Sequence, residues 1–299
     1  MTDRPPPTFY NRTRQSASLP MALLRRGRVF ALPLYAALRR SDLAREGLDH
    51  SGSFRFADHI YRGQPSGRGA FGRWLDARLL GLPAVRSFRN RFQASRDELT
   101  AFLHERAGQP GRLDILSAPC GIPRELGDGY QAFVASGSTI RAALEFHGLD
   151  LDQTALGEAV TFARDRSLAP FNPRQGDVFD RSVYPSGVDF ITSTGLAEFL
   201  DDEQLSKLYG IFYECLRPGG VLVTSGMRGR PLSDYLLRLA EIPVNYRTAA
   251  DLERLARALP FSEVRTNVDE LGIQSILIAR KWQGYACSQQ VLRFETTHL

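Results

Sequence analysis

The sequence predicts an α/β fold, a mostly parallel sheet with helices on both faces, preceded by an α-helical region. From residue 112 onward, short β-type runs alternate with helical stretches, and such alternation implies crossover units that lay parallel strands side by side. Before that point apolar residues recur at three- and four-residue spacing, as in Leu34, Tyr35 and Leu38, in Trp74, Leu75, Leu79 and Leu80, and in Leu99, Phe102 and Leu103.

In chain order, residues 1–20, with Pro5-Pro6-Pro7 and scattered Thr, Ser and Arg, read as a flexible arm. Residues 21–111 read as a helical cap or lid, cut into short helices by Ser51-Gly52-Ser53 and Gly63-Gln64-Pro65-Ser66-Gly67. Residues 54–63 crowd aromatic, acidic, imidazole and guanidinium groups together and read as a patterned loop. Strands are expected at 114–118, 142–149, 188–193, 221–225, 263–268 and 275–279, with a weak third strand before Gly176. Helices are expected at 123–135, 153–166, 203–216, 232–241 and 248–259, the third opened by Asp201 with Gln204 at capping-box spacing. Only Asp269-Glu270-Leu271-Gly272 joins the last two strands, too short for a parallel crossover, so they pair antiparallel at one edge. Residues 282–299 read as a tail.

Composition narrows the class. With 299 residues, 43% hydrophobic and 24% charged, the chain is long enough for a substantial core and is neither collagen-like nor disordered throughout. No apolar run reaches the roughly 20 residues needed to span a bilayer. The nearest, 21–38, is interrupted by Arg25-Arg26-Gly27-Arg28 and Pro33, and neither a membrane span nor a signal peptide is expected. Three cysteines without metal-ligand spacing support neither a disulfide framework nor a zinc site, and point to a reducing, cytoplasmic compartment with no metal. The net charge of +5 is unevenly spread: twenty arginines against nine acids give residues 1–112 a charge of +11, so the remainder carries −6. Arginines interleaved with acids, and no recognition motif, argue against a continuous nucleic-acid track.

In an open α/β sheet a ligand sits beyond the carboxyl ends of the strands, so residues that follow strands are the informative ones. After the first strand, Ala118, Pro119, Cys120 and Gly121 let backbone approach a ligand closely, and Pro123 suits the first turn of the next helix. After the second, Asp150 is placed to accept hydrogen bonds from ribose hydroxyls, next to Leu151, while Asp152 caps the following helix. Asp177 and Val178 offer a carboxylate with an apolar neighbour, suited to an adenine edge, and Ser193, Thr194 and Gly195 open the fourth strand into small residues.

These stretches, together with Leu216-Arg217-Pro218-Gly219-Gly220-Val221-Leu222, resemble the class I S-adenosylmethionine-dependent methyltransferases over residues 112–281. The resemblance implies a Rossmann-like, seven-stranded, mostly parallel sheet with an antiparallel edge strand, S-adenosylmethionine as cofactor, and Asp150 as the residue that holds its ribose. One departure stands out: Ser117 occupies the place of an acid in the first loop, and Pro119 and Pro123 stand where glycine is usual, which stiffens that loop. Tyr61 and Arg62 of the helical region are candidates for the cofactor carboxylate.

Methyl transfer is an in-line displacement that needs positioning and exclusion of water, plus a base only if the acceptor arrives protonated. His59, Tyr184 and Glu198 are the candidate catalytic residues, whereas His147, inside the second strand, reads as core. The arginine-rich cap suggests a small, anionic acceptor. Other readings stay open: attack on the aminocarboxypropyl carbon with release of methylthioadenosine, a nucleic-acid-modifying enzyme, or an inactive interaction module. Oligomeric state is left open.

Overall fold

The computed structural model describes residues 24, 29–49, 53–168, 170–229 and 244–283. The expected arm, the helix at 232–241 and nearly all of the tail lie outside the described residues.

Seven strands, β1 (Arg112–Ser117), β2 (Ala143–Asp150), β3 (Phe171–Gln175), β4 (Val188–Ser193), β5 (Leu216–Met227), β6 (Phe261–Val268) and β7 (Gln274–Lys281), form one sheet in the order β3-β2-β1-β4-β5-β7-β6. All pairings are parallel except those of β7, which runs antiparallel to both β5 and β6. The short connection, residues 269–273, therefore makes the antiparallel pair, with β7 one place in and β6 outermost. Strand order reverses between β1 and β4, whose carboxyl ends pair directly, Ser117 beside Thr192. The Arg217-Pro218-Gly219-Gly220 stretch lies within the start of β5. Register there jumps from Val188–Leu216 to Phe190–Val221, and Gly219 takes up the kink at φ +78°.

Nine helices are described: α1 (Leu32–Leu38), α2 (Asp42–Asp49), α3 (Phe54–Arg62), α4 (Gly69–Leu80), α5 (Pro83–Arg106), α6 (Arg124–Ala135), α7 (Gln153–Asp165), α8 (Asp202–Cys215) and α9 (Ala249–Arg257). Asp201 and Gln204 form the expected capping box of α8, and Asp152 caps α7 by accepting from the Thr154 N–H. On one face of the sheet, Leu99 and Phe102 of α5 and Phe133 of α6 pack on Phe146, Phe190, Val223 and Ile278. On the other, Leu205 and Phe212 of α8 and Leu252 of α9 pack on Leu222 and Leu277. The carboxyl-terminal half of α5 is thus a layer of the sheet domain, although it precedes β1 in the chain.

The segment expected as a loop at 54–63 is the helix α3. Ser53 caps it by accepting from the Phe56 N–H, and Gly63 ends it in the left-handed region at φ +64°. Its mixed composition is a helix with two buried faces. Phe56 and Ile60 pack with Leu43 and Leu80, while Phe54, Asp58 and Tyr61 turn toward the sheet domain.

At the amino-terminal end of the sheet, buried Asp114 accepts from Arg112 Nη2 at 2.7 Å, Arg217 Nη2 at 2.8 Å and His147 Nε2 at 2.8 Å, which makes His147 the core residue expected. Glu145 joins this cluster, but the two guanidiniums bring positive charge to the same carboxylates and oppose a metal ion there. Burial alone would raise the Asp114 carboxyl; the hydrogen bonds from Arg112, His147 and Arg217 outweigh it and hold it below the usual carboxylate range. The carboxylate form therefore stabilises the fold above the acid range, and that contribution fades as the pH falls. Asp114→Asn is expected to cost about 3 kcal/mol in urea unfolding at neutral pH, with the deficit narrowing below about pH 4 as the wild-type group takes up a proton.

Candidate functional site

The reversal of strand order opens a crevice at the carboxyl ends of β1 and β4. Residues 118–121 form one wall. The Cys120 N–H donates to the Leu149 carbonyl at 2.8 Å and the Gly121 N–H donates to Asp150 Oδ2 at 2.8 Å, so the loop after β1 is tied to the end of β2. Gly121 sits at φ +47°, a conformation side-chain-bearing residues rarely adopt, and a Cβ there would lie 3.1 Å from Phe54 Cβ and press on α3. Asp150 is buried, and its other oxygen accepts from the Asp152 N–H at 2.9 Å; Leu151 beside it is 42% exposed. Asp177 caps its own turn through the Phe179 N–H, and Val178 packs against the core beneath α8. At the opposite wall Ser193 is buried, Thr194 is half-buried, and Gly195 at φ +90° donates its N–H to Ser225 Oγ at 3.2 Å.

The helical region covers this rim. Asp58 of α3 pairs with Arg124 at the start of α6, and Arg55 pairs with Glu158 of α7 at 2.6 Å. From α5, Arg91 reaches the loop after β4: its Nη1 donates to Glu198 Oε1 at 3.0 Å and its Nη2 to the Tyr61 hydroxyl at 2.8 Å, both side chains of the ion pair being 3% exposed. Tyr61 stacks on Phe92, with ring centroids 4.9 Å apart. The second Glu198 oxygen, Oε2, has no hydrogen-bond partner.

The candidate residues from the sequence separate accordingly. Asp150, residues 118–121, residues 193–195 and Glu198 meet at the crevice, and Tyr61 is joined to it through Arg91. Arg62 is over half exposed and pairs with Asp58 on the outer side of α3. His59 lies on the flank of α3 that faces α4, its Nε2 3.5 Å from Asp76 Oδ2. Asp76 in turn accepts from Ser41, Leu43 N–H and Ser66 N–H, so this cluster ties the helical region together. Tyr184 is buried against Phe212 and donates its hydroxyl to the Val178 carbonyl at 2.7 Å, and burial pushes its phenol well up.

Arg91 and Glu125 were not singled out from the sequence. Glu125, in the first turn of α6, accepts from Ser117 Oγ at 2.7 Å, so a helix supplies the carboxylate that the end of β1 lacks. Burial pushes its carboxyl up to about 7, against the opposing Ser117 hydrogen bond. A signal for Arg91 was present: Ser87, Arg91, Ser95 and Leu99 recur every four residues, which places a guanidinium on a buried helix face.

Residues 41–281 match the model of a family described as "Putative methyltransferase", and the chain belongs to that family. A search of curated proteins finds no significant match. Among solved structures, a protein of Bordetella parapertussis titled a possible exported protein is 23% identical over 92% of this chain and 95% of its own, with a TM-score of 0.70. Magnesium protoporphyrin IX methyltransferase from Synechocystis PCC 6803 with bound SAH is 16% identical over 75% of this chain and 93% of its own, TM-score 0.51. The S-adenosylmethionine-dependent methyltransferase SibL is 18% identical over 86% and 77%, TM-score 0.51. These three share the α/β methyltransferase fold with this chain.

Folded protein holds the Glu125 proton to about pH 7, whereas the unfolded chain releases it near 4.5, so the wild type loses stability as the pH rises through that window. Glu125→Gln does not titrate. Its stability relative to wild type is expected to move in its favour by about 3 kcal/mol between pH 4 and pH 8, read from urea unfolding at a series of pH values.

Proposed function

We propose that this chain transfers the methyl group of S-adenosylmethionine to a small-molecule acceptor. The observation that carries the reading is the crevice at the reversal of strand order, where the buried Asp150 carboxylate, the Gly121 backbone and the Gly195 turn converge in a chain that belongs to a methyltransferase family. The residues present fit the cofactor. Asp150 stands at the end of β2, where a ribose would be held by its carboxylate; Leu151 presents an exposed apolar side chain next to it for adenine, and Asp177 and Val178 line the same side. Residues 118–121 and 193–195 would flank the methionine tail. When bound, S-adenosylmethionine supplies a methyl group activated by a sulfonium.

The chain's own contribution is to position the reactants and keep water out. Arg91 and Tyr61 tie the helical cover to the rim through Glu198, and the partnerless Glu198 Oε2 is the group best placed to receive a proton from an acceptor that arrives protonated. His59 and Tyr184 are engaged elsewhere and contribute to folding. Part of the arginine excess in the first 112 residues meets acids of the sheet domain, in the pairs Arg55–Glu158, Arg86–Glu270 and Arg91–Glu198, which weakens a nucleic-acid platform. No helix among the described residues is long and apolar enough to cross a membrane. The free thiols of Cys120 and Cys215 favour a cytoplasmic setting, and cell fractionation tests that against the exported description of the Bordetella neighbour.

S-adenosylhomocysteine is expected to bind with measurable heat in calorimetry, and Asp150→Ala to weaken it about tenfold to a hundredfold, the value of hydrogen bonds to a charged group. Turnover should release S-adenosylhomocysteine; methylthioadenosine in its place would assign the reaction to the aminocarboxypropyl carbon.

A further inference from the structure

The two layers that meet above β4, β5 and β7 change character together. Along the inner stripe of α5, Ser87, Arg91 and Ser95 are polar, and Leu99, Phe102 and Leu103 continue the same stripe as apolar core. The opposing face of the sheet does likewise: Phe190 gives way to Thr192 on β4, and Ile278 and Ile276 give way to Gln274 on β7. Thr192, Ser87 and Gln274 are each 0% exposed. Contacts bring these ends together. Asn90 of α5 donates to Asp269 Oδ2 at 3.1 Å, and the other oxygen of Asp269 accepts from the Gln274 N–H at 2.9 Å.

Ser87 Oγ, Thr192 Oγ1, Glu198 Oε2, Arg91 Nε and both amide atoms of Gln274 are buried without a hydrogen-bond partner. A buried polar atom left unpaired destabilises a fold, and several such groups retained at one edge of the sheet call for an explanation beyond packing. We infer that this polar layer between α5, the end of β4 and the start of the antiparallel β7 is the acceptor subsite, built for a small neutral or cationic molecule that carries an amide-like donor–acceptor pair. The Gln274 amide offers one donor and one acceptor side by side, which complements such a pair. The Arg91 guanidinium is already shared by Glu198 and Tyr61, so an acceptor carboxylate would meet Glu198 without a counter-ion of its own. This departs from the anionic acceptor that the charge of the first 112 residues suggests.

The inference rests on the methyltransferase reading, and benzamide with its anionic isostere benzoate separates the two. In calorimetry on full-length protein saturated with S-adenosylhomocysteine, benzamide is expected to bind at least tenfold more tightly than benzoate. Gln274→Met should lower benzamide affinity at least tenfold and leave S-adenosylhomocysteine affinity unchanged. The same variant should raise Tm, because it removes an unpaired buried amide, whereas a structural glutamine would lower Tm on replacement. Ser87→Ala, the gentler change, should likewise not lower Tm. Equal or tighter binding of benzoate, no binding of benzamide, or a fall in Tm for both variants overturns the subsite while S-adenosylhomocysteine still binds. If the wild type fails to bind S-adenosylhomocysteine, the methyltransferase reading falls and takes the subsite with it.

Discussion

The Arg91–Glu198 pair is the contact on which the arrangement of the site depends. Both groups are almost wholly buried, and taking two charges out of water is worthwhile only where geometry is good and hydrogen bonds are supplied. Tyr61 supplies one of those bonds, so three separate parts of the chain, α3, α5 and the loop after β4, are held to a single arrangement. Gly195 makes this possible: a Cβ there would lie 3.1 Å from an Arg91 nitrogen, and its φ of +90° is one that side-chain-bearing residues rarely adopt.

A second constraint comes from the sheet. Strands buried on both faces leave no place for polar groups except at their ends, and here the two ends are used differently. The amino-terminal end holds a network around Asp114 in which the carboxylates meet the Arg112 and Arg217 guanidiniums. The carboxyl-terminal end holds Asp150, Glu198, Thr192 and Gln274, several of them with atoms unpaired. Paired charge at one end serves folding. Polar atoms without partners at the other reduce stability, and such a concession is ordinarily found where a ligand completes the hydrogen bonding.

Elements with a strong local signature were legible in the sequence. The alternation of strand and helix gave the sheet its class, the short connection after Val268 required an antiparallel pair, and Asp152, Asp201 and Gln204 announced the helix starts they cap. Asp150 and Gly195 could be singled out because ligands gather where strands end. Residues 54–63 could not be read correctly from mixed composition, although Phe54, Phe56, Ala57, Ile60 and Tyr61 share one side at the 3.6-residue period and Ser53 and Gly63 bound a helix. Glu125 was equally hidden: a carboxylate in the first turn of a helix reads as a response to the helix dipole, and only the fold brings it to Ser117.

What the sequence by itself determined is the order of strands and helices along the chain and the residues that lie at strand ends, because both follow from periodicity and short-range sterics. Which partners those residues find was decided by tertiary structure alone. Arg91 and Glu198 are 107 positions apart, and Asp58 meets Arg124 across 66. Separations of that size carry no local signal, since the free energy that selects one partner over another arises only once the surrounding layers have excluded water.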